Sequence, residues 1–180
     1  MHVASPFFFE GTYEYFVLPA VNGTTAVMKA CQAAGVKRCV VTSSVAAVMC
    51  PAAADRPADG VFNETHWTNN DRPEGVTNYF KSKTLAEKAA WDFVAALPDD
   101  QKFELVTINP AFVMGPPMRK EPFQSGQWLQ SLMEGKMEKI SADRFCVVDV
   151  RDVAFAHIAA IKVQAAAGRR FLLVHSSPSF

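Results

Sequence analysis

Residues 76–98, VTNYFKSKTLAEKAAWDFVAALP, decide how the rest of the chain is interpreted. Apolar and small side chains recur along this stretch with the period of an α-helix, at Ala86, Ala90, Phe93, Val94 and Leu97. Thr77 or Asn78 can cap the start of such a helix, and Pro98 marks its end. We therefore predict one long helix here.

Tyr79 and Lys83 lie on the inward stripe of this predicted helix, one turn from each other. An ammonium group is rarely buried without a partner. Beside a phenol it stabilises the phenolate and lowers the pKa of the tyrosine, which makes Tyr79 a candidate proton donor at working pH. The alternative is structural: Tyr79 packs at the helix start and Lys83 extends to water. The spacing alone does not choose between them.

Length and composition limit the class of protein. The 180 residues suggest one domain, residues 1–180, with 49% hydrophobic and 20% charged residues, as in soluble globular proteins. Eighteen basic and eighteen acidic residues balance, which argues against a nucleic-acid partner. No apolar run reaches membrane-spanning length, and the start lacks a signal-peptide pattern.

The cysteines and histidines give no sign of a metal site. The cysteines form no C-x-x-C pair and are expected to be free thiols in a reducing compartment, which predicts a cytoplasmic location, at Cys31, Cys39, Cys50 and Cys146. The four histidines are far apart and show no ligand spacing.

Strand and helix patterns alternate along the remaining sequence. Strands are predicted at 1–5, 39–42, 105–108, 145–150 and 171–174, and helices at 19–35, 122–134 and 152–162. Pro19 would occupy the first turn of its helix and Gly35 would end it. Residues 50–75 and 109–117 are predicted loops. Uniformly apolar strands that alternate with helices favour an α/β domain with a parallel sheet covered on both faces.

Three features converge where ligands bind in such sheets, beyond the carboxyl ends of the strands. They are Thr42-Ser43-Ser44, the loop 109–117, and the helix start with Tyr79 and Lys83. Taken singly, the serines and the loop are more often plain turn residues. Their convergence at one end of one sheet favours a functional site.

Several stretches together resemble the extended short-chain dehydrogenase/reductase family of the NAD-dependent epimerase/dehydratase superfamily. They are HVASPF (2–7), PAVNGT (19–24), GVKRCVVTSSVAAV (35–48), YFKSKTLAEKAAWDF (79–93), INPAFVMGP (108–116) and VDVRDVAFAH (148–157). The resemblance is to the dihydroflavonol-4-reductase-like branch of aldehyde and ketone reductases. It implies a partial Rossmann-like doubly wound parallel sheet and an NAD(P)H-dependent oxidoreductase of CH-OH and carbonyl groups, with NADP (NADPH) favoured over NAD as the cofactor and a small-molecule substrate.

The resemblance also implies a role for individual residues. Tyr79 would donate a proton to the carbonyl oxygen as a hydride arrives from the nicotinamide, Lys83 would lower the pKa of Tyr79 and bind the nicotinamide ribose, and Ser44 would hydrogen-bond the substrate oxygen. Pro110 and Val113 would line the nicotinamide. Ala4, Thr42 and Ser43 would pass near the cofactor.

The sequence departs from the family pattern in two respects. None of its nine glycines forms the glycine-rich turn that cradles the pyrophosphate in this family, so the chain is expected to bind NADPH weakly by itself. It also stops after the predicted strand 171–174, short of the C-terminal substrate-binding region that the resemblance implies, so the chain is expected to be truncated at both ends. The alternatives are a nucleotide-sugar epimerase or dehydratase, a 3β-hydroxysteroid dehydrogenase, or a non-catalytic truncated form. A cinnamoyl-CoA reductase is disfavoured, because TNYFKSK replaces the N-W-Y-C-Y-G-K pattern of those enzymes.

Overall fold

Strands and helices alternate in the computed structural model, which describes residues 1–5, 12–49, 53–72, 75–118, 124–137 and 146–176. Within these ranges the strands are β1 (Arg38–Thr42), β2 (Glu104–Pro110), β3 (Phe112–Met114), β4 (Val147–Asp149) and β5 (Arg170–Leu173). The α-helices are α1 (Tyr13–Ala33), α2 (Asn78–Ala96), α3 (Gln124–Met133) and α4 (Val150–Lys162).

The strands pair in parallel. One sheet has the order β1-β2-β5, with Val40 opposite Val106 and Ile108 opposite Phe171. β3 and β4 form a second parallel pair, in which Val113 lies opposite Val148. Parallel neighbours joined through helices are the pattern of α/β proteins, so the predicted fold class is confirmed.

Helices cover both faces of the three-stranded sheet. Met28 of α1 and Ala90 of α2 form one core with alternate residues of β1 and β2. Ala160 of α4 forms the other core with the intervening residues, among them Val40 and Val106. Successive strand side chains point to opposite faces, so strands buried on both sides are apolar throughout. This is the doubly wound arrangement that the sequence predicts.

The predicted helix 76–98 is α2, with boundaries close to those expected. It begins at Asn78 after the cap residue Thr77, and Leu97 follows its end with extended backbone, next to Pro98. Its inward face buries Ala86 and Ala90, as the period predicts, and also Glu87. The helix therefore brings a carboxylate into the interior beside the predicted Tyr79–Lys83 pair.

The predicted start of the first helix is wrong. α1 begins at Tyr13, and Pro19 lies inside the helix instead of in its first turn. Thr12 caps the helix by accepting a hydrogen bond from the Tyr15 amide at 3.3 Å. The early start has a physical reason, since the added turns bury Phe16 and Val17, and this burial offsets the amide hydrogen that proline lacks.

The prediction of a loop over residues 109–117 is wrong for residues 109–110 and 112–114, whereas residues 115–117 are irregular as predicted. β2 continues to Pro110, and β3 follows it at once. β3 is stabilised by its pairing with β4 rather than by local propensity. The proline and glycine content of the segment does not reveal this pairing. β4 is shorter than the predicted strand 145–150, because Asp149 accepts the Arg151 amide at 2.8 Å and α4 starts at Val150.

Residues 1–5 form only an isolated bridge instead of the expected buried strand. His2 donates its amide to the Val40 carbonyl at 2.8 Å and accepts the Thr42 amide at 2.9 Å. Val3 beside it is 63% exposed. The described part of the predicted 50–75 loop includes a short 3-10 helix at Ala53–Asp55 and a buried residue, Thr68, so it is not purely a surface loop.

Arg38 connects the start of β1 with the end of α4. Its guanidinium pairs with Glu104 at 2.6 Å and donates to the carbonyl oxygens of Ala160, Ile161 and Val163 at 2.8 to 3.0 Å. Carbonyl groups in the last helical turn lack helical partners and carry negative partial charge. A cation at this position therefore caps α4 and fixes it against the sheet.

Candidate active site

The start of α2 places Tyr79 beside the end of β1. The Tyr79 hydroxyl donates to Ser44 Oγ at 3.5 Å, the long end of hydrogen-bonding distance. Lys83 lies one turn further along α2, with Nζ 5.8 Å from the centroid of the Tyr79 ring. The three side chains that the sequence selects as catalytic candidates therefore lie together.

Ser44 is held by the turn that follows β1. Its backbone is extended, and its Oγ accepts the Ala46 amide at 3.1 Å, which caps the 3-10 helix Val45–Ala47. Asn109 Nδ2 donates to the Ser44 carbonyl at 3.2 Å. Ser44 is buried, but its hydroxyl contacts the Tyr79 hydroxyl, and both side chains line the neighbouring cavity.

That cavity has a volume of about 450 Å³. Six of the predicted site residues line it: Ser43, Ser44, Tyr79, Lys83, Pro110 and Val113. The remaining described lining includes apolar side chains that the sequence analysis did not select, notably Met49, Phe80 and Phe112. Phe112 packs edge-on against Trp128 of α3, with ring centroids 5.2 Å apart. β3 thus contributes hydrophobic lining to the cavity, and Trp128 of α3 packs against Phe112 of that lining.

Ala4 and Thr42 lie next to this cavity instead of in it. They line a narrow cleft that also contacts Ser43 and Lys83. The Thr42 hydroxyl lies 2.6 Å from His157 Nε2 on the α4 side of the sheet. The Ser43 hydroxyl donates to the Glu87 carboxylate. Both hydroxyls are therefore engaged inside the protein and do not reach a ligand in this arrangement.

Burial controls the proton affinities of the catalytic candidates. It raises the pKa of Tyr79 above its ordinary value of 10.0, and the hydrogen bond with Ser44 acts in the opposite direction. It lowers the pKa of Lys83 from 10.5 to about 8. The expected lowering of the Tyr79 pKa by Lys83 is therefore not found in this structure. The ammonium lies beside the ring at 5.8 Å from its centroid, and desolvation is the larger effect.

Lys83 has no carboxylate or hydrogen-bond partner among the described residues. Its chain lines both the cavity and the cleft. A largely buried ammonium without a partner is costly. Its hydrogen-bonding capacity is available to a ligand at the mouth of the site.

The sequence analysis missed the polar cluster one turn beyond Lys83. Glu87, Asn109 and Arg170 are joined by hydrogen bonds beneath the end of β1. The signal that could have identified Glu87 is its place on the stripe of Tyr79 and Lys83, four residues further on. Arg170 carries no such signal, because its partners are far away in sequence.

No group of three or more His, Cys, Asp or Glu side chains within the described ranges is arranged to hold a metal ion. Cys31 and Cys39 are free thiols, and Cys50 lies outside the described residues. None of the helices in these ranges combines the length and apolar character needed to cross a membrane.

Comparison with known proteins gives the family. The profile of the 3-beta hydroxysteroid dehydrogenase/isomerase family matches residues 1–174. The chain is 36% identical to the NADPH-dependent methylglyoxal reductase of Saccharomyces cerevisiae over 96% of its length, and 35% identical to cinnamoyl-CoA reductase 1 of Arabidopsis thaliana over 98%. It covers 55% and 49% of these proteins, so it spans about half the length of the relatives it matches.

Solved structures agree with this result. The yeast methylglyoxal/isovaleraldehyde reductase complexed with NADPH superposes with a TM-score of 0.83 at 36% identity, over 98% of this chain and 56% of that one. Vestitone reductase from alfalfa gives 0.76 at 31% identity, over 99% and 54%. The resemblance to extended reductases is thereby confirmed, and the chain belongs to the 3-beta hydroxysteroid dehydrogenase/isomerase family.

Proposed function

We propose that this chain carries the catalytic half of an NADPH-dependent oxidoreductase that reduces an aldehyde or ketone to the alcohol. The observation that carries the proposal is the convergence of Ser44, Tyr79 and Lys83 on one wall of a single cavity. A phenol, a hydroxyl and an ammonium together supply a proton donor, an oxygen-binding group and a positive charge. Carbonyl reduction requires these three functions apart from the hydride source.

The residues around the cavity fit the nicotinamide end of such a cofactor. Pro110 and Val113 offer an apolar surface to a flat ring, and the Lys83 ammonium, which has no partner in the part of the chain that the structure describes, can donate to ribose hydroxyls. When bound, the cofactor supplies the hydride. The chemistry of these side chains supports the proposal, together with the NADPH named for the yeast relatives.

The roles of the chain's own residues follow from their atoms. The Tyr79 hydroxyl gives its proton to the substrate oxygen as negative charge develops there. The Ser44 hydroxyl turns from its present contact with Tyr79 to donate to the same oxygen. Lys83 lies one turn away, with Nζ 5.8 Å from the Tyr79 ring centroid, where its ammonium can donate to the nicotinamide ribose. The raised pKa of Tyr79 keeps the proton on the phenol until this step.

The cavity also bears on the substrate. Its volume of about 450 Å³ and its wall of Met49, Phe80 and Phe112 suit a compact, mainly apolar carbonyl compound. The yeast relative is named for methylglyoxal, and the plant relatives for cinnamoyl-CoA and vestitone. We propose a small aldehyde or ketone as the substrate and a cytoplasmic site of action.

The test measures carbonyl-dependent oxidation of NADPH, with NADH in parallel. Because the chain spans about half the length of its relatives, two proteins are assayed: the chain itself, and a fusion that carries the N-terminal part of the yeast reductase before Met1. The panel contains aliphatic aldehydes, aromatic ketones and a 3-ketosteroid with NADPH or NADH, a 3β-hydroxysteroid with NADP+ or NAD+, and a nucleotide sugar whose conversion is followed by product analysis. Turnover of a carbonyl compound by the fusion, abolished in Tyr79→Phe, is the expected result.

The alternative activities give different patterns in this assay. Preference for the steroid or the nucleotide sugar would contradict the proposed substrate class. A folded fusion that binds NADPH by calorimetry but turns over no carbonyl compound would contradict catalysis and support a non-catalytic form.

A further inference from the structure

Beneath the proposed catalytic groups lies a carboxylate that collects hydrogen bonds from several elements. Glu87 is 1% exposed. Its oxygens accept hydrogen bonds from Ser43 Oγ, Trp91 Nε1 at 3.3 Å, Thr107 Oγ1 at 2.9 Å, Asn109 Nδ2 at 2.7 Å and Arg170 Nε at 2.7 Å. These donors come from the end of β1, from α2, from β2 and from β5. One side chain therefore joins the elements that meet below the cavity.

Two of these donors, Ser43 and Asn109, also restrain the backbone of Ser44. Ser43 is its chain neighbour and is fixed through its own hydroxyl. Asn109 Nδ2 donates to Glu87 and also to the Ser44 carbonyl at 3.2 Å. The Glu87 carboxylate thus fixes the Ser44 backbone on both sides. It binds the hydroxyl of the preceding residue Ser43, and it binds the Asn109 amide that holds the Ser44 carbonyl.

Arg170 extends the same attachment to the turn that Ser44 caps. Its Nη1 donates to the Glu64 and His66 carbonyls at 2.7 and 2.6 Å, and its Nη2 reaches the Ala47 carbonyl at 3.5 Å. The guanidinium stacks over Trp67, 3.7 Å from the ring centroid. The segment 64–68, held in this way, is tied to the turn by the Thr68 hydroxyl, which donates to the Ala46 carbonyl at 2.7 Å.

This arrangement is more specific than stability requires. A buried ion pair contributes little more than an apolar pair of the same volume, because desolvation offsets the attraction. A planar guanidinium that serves a carboxylate, three carbonyls and an aromatic face fixes geometry instead. We propose that Glu87 and Arg170 are positioning residues that hold the Ser44 hydroxyl in place for Tyr79, a role that rests on the proposed function and deepens it.

The test measures the ionisation of the Tyr79 phenol directly. Tyr13 and Tyr15 are exposed, and the sequence has three tyrosines, so the Tyr13→Phe/Tyr15→Phe background leaves Tyr79 alone. 3-Fluorotyrosine is incorporated at this position, which lowers the phenol pKa into a range where the protein stays folded. Fluorine NMR then follows its chemical shift and titration in the chain as it exists, without substrate or cofactor.

A double-mutant cycle separates positioning from support of the fold. Arg170→Lys keeps a charge beside Glu87 but loses the fork to the three carbonyls and the stack on Trp67. We expect it to raise the fluorophenol pKa by a fraction of the rise caused by Ser44→Ala. In the Ser44→Ala background Arg170→Lys should cause no further rise, because no hydroxyl is left to misplace. In the active fusion kcat should fall about tenfold or more with KM little changed.

Arg38→Lys is the matched control. Arg38 is as buried as Arg170, also pairs with a carboxylate and also binds several carbonyls, but it lies at the opposite end of β1. It should leave the fluorine signal unchanged. If Arg170→Lys does not fold, Trp67→Leu takes its place, since it removes only the stacking surface.

An equal pKa rise with and without the Ser44 hydroxyl, or no rise in a folded variant, would overturn the proposal. The two hypotheses fail separately. Absence of carbonyl reduction in every fusion would refute the proposed function while the titration stays readable. Normal reduction by a variant whose phenol signal is unchanged would refute positioning alone.

Discussion

Two consecutive turns of α2 place a charged side chain against the sheet, and their surroundings are opposite. Glu87 receives hydrogen bonds from five side chains, one of which is its ion-pair partner Arg170. Lys83, one turn earlier, has no such partner within the described ranges and faces a cavity. Burial penalises the charged form of both side chains. Hydrogen bonds and an ion pair offset this cost at Glu87, whereas no partner in the described ranges offsets it at Lys83. The contrast indicates that the turn with Glu87 holds the neighbouring backbone in place, whereas the turn with Lys83 has hydrogen-bond donors that a ligand can use.

The largest expected effect tests the compensated turn. Glu87→Gln keeps the shape but leaves Arg170 without its counter-charge and turns an amide group toward several donors. We expect a loss of about 3–5 kcal/mol in the free energy of unfolding, measured with urea. Glu104→Gln is the control and should cost less, because the Glu104 side chain is 36% exposed although its partner Arg38 is buried. Similar losses in both variants would remove the contrast.

The next effect concerns Tyr79, which lies beside Lys83 at the cavity, and it is measured as enzyme activity. Tyr79→Phe in the active fusion should lower kcat at least about 100-fold, because it removes a general acid and leaves ring packing intact. Its free energy of unfolding should change little, since the lost hydrogen bond to Ser44 is long at 3.5 Å. A variant that is destabilised but active would reverse the roles given to the two turns.

A pH dependence of stability sharpens the assignment of Lys83. Its pKa is about 8 when folded and 10.5 otherwise, so between these values the unfolded chain binds more protons and stability rises with pH. Relative to Lys83→Met, the wild type should gain about 1–2 kcal/mol from pH 8 to 10, a value reduced for contact with cavity water. Above pH 10 the raised pKa of Tyr79 acts in the opposite direction. Urea unfolding at several pH values measures the difference, and a flat difference would mean that Lys83 is solvated.

The smallest effect examines the segment fixed by Arg170. Thr68 is 1% exposed and donates to the Ala46 carbonyl at 2.7 Å. Thr68→Val preserves the shape and leaves that carbonyl without this donor, at a cost of about 1 kcal/mol in unfolding free energy. Thr65→Val, at an exposed position, serves as the control. Equal changes in the two variants would show that segment 64–68 is not held as the hydrogen bonds indicate.

The sequence predicts what depends on local periodicity. α2 and the central strands are recovered because their apolar patterns are strong, and Ser44, Tyr79 and Lys83 meet because strand ends and helix starts share one edge of a parallel sheet. β3 and the early start of α1 are not recovered, because they depend on pairing with β4 and on burial of Phe16 and Val17. Arg170 belongs to the same group, since its partners lie 83 or more residues away.

The capping of α4 by Arg38 has a kinetic consequence. The guanidinium joins residues separated by 122 to 126 positions in the sequence. A chain loop of this length closes at a substantial entropic cost before the contact contributes, and folds rich in such contacts form slowly. α4 is therefore expected to dock late, after β1 and β2 have paired. Amide hydrogen exchange in pulse-labelling refolding experiments should show protection of Val40 and Val106 before that of Ala160.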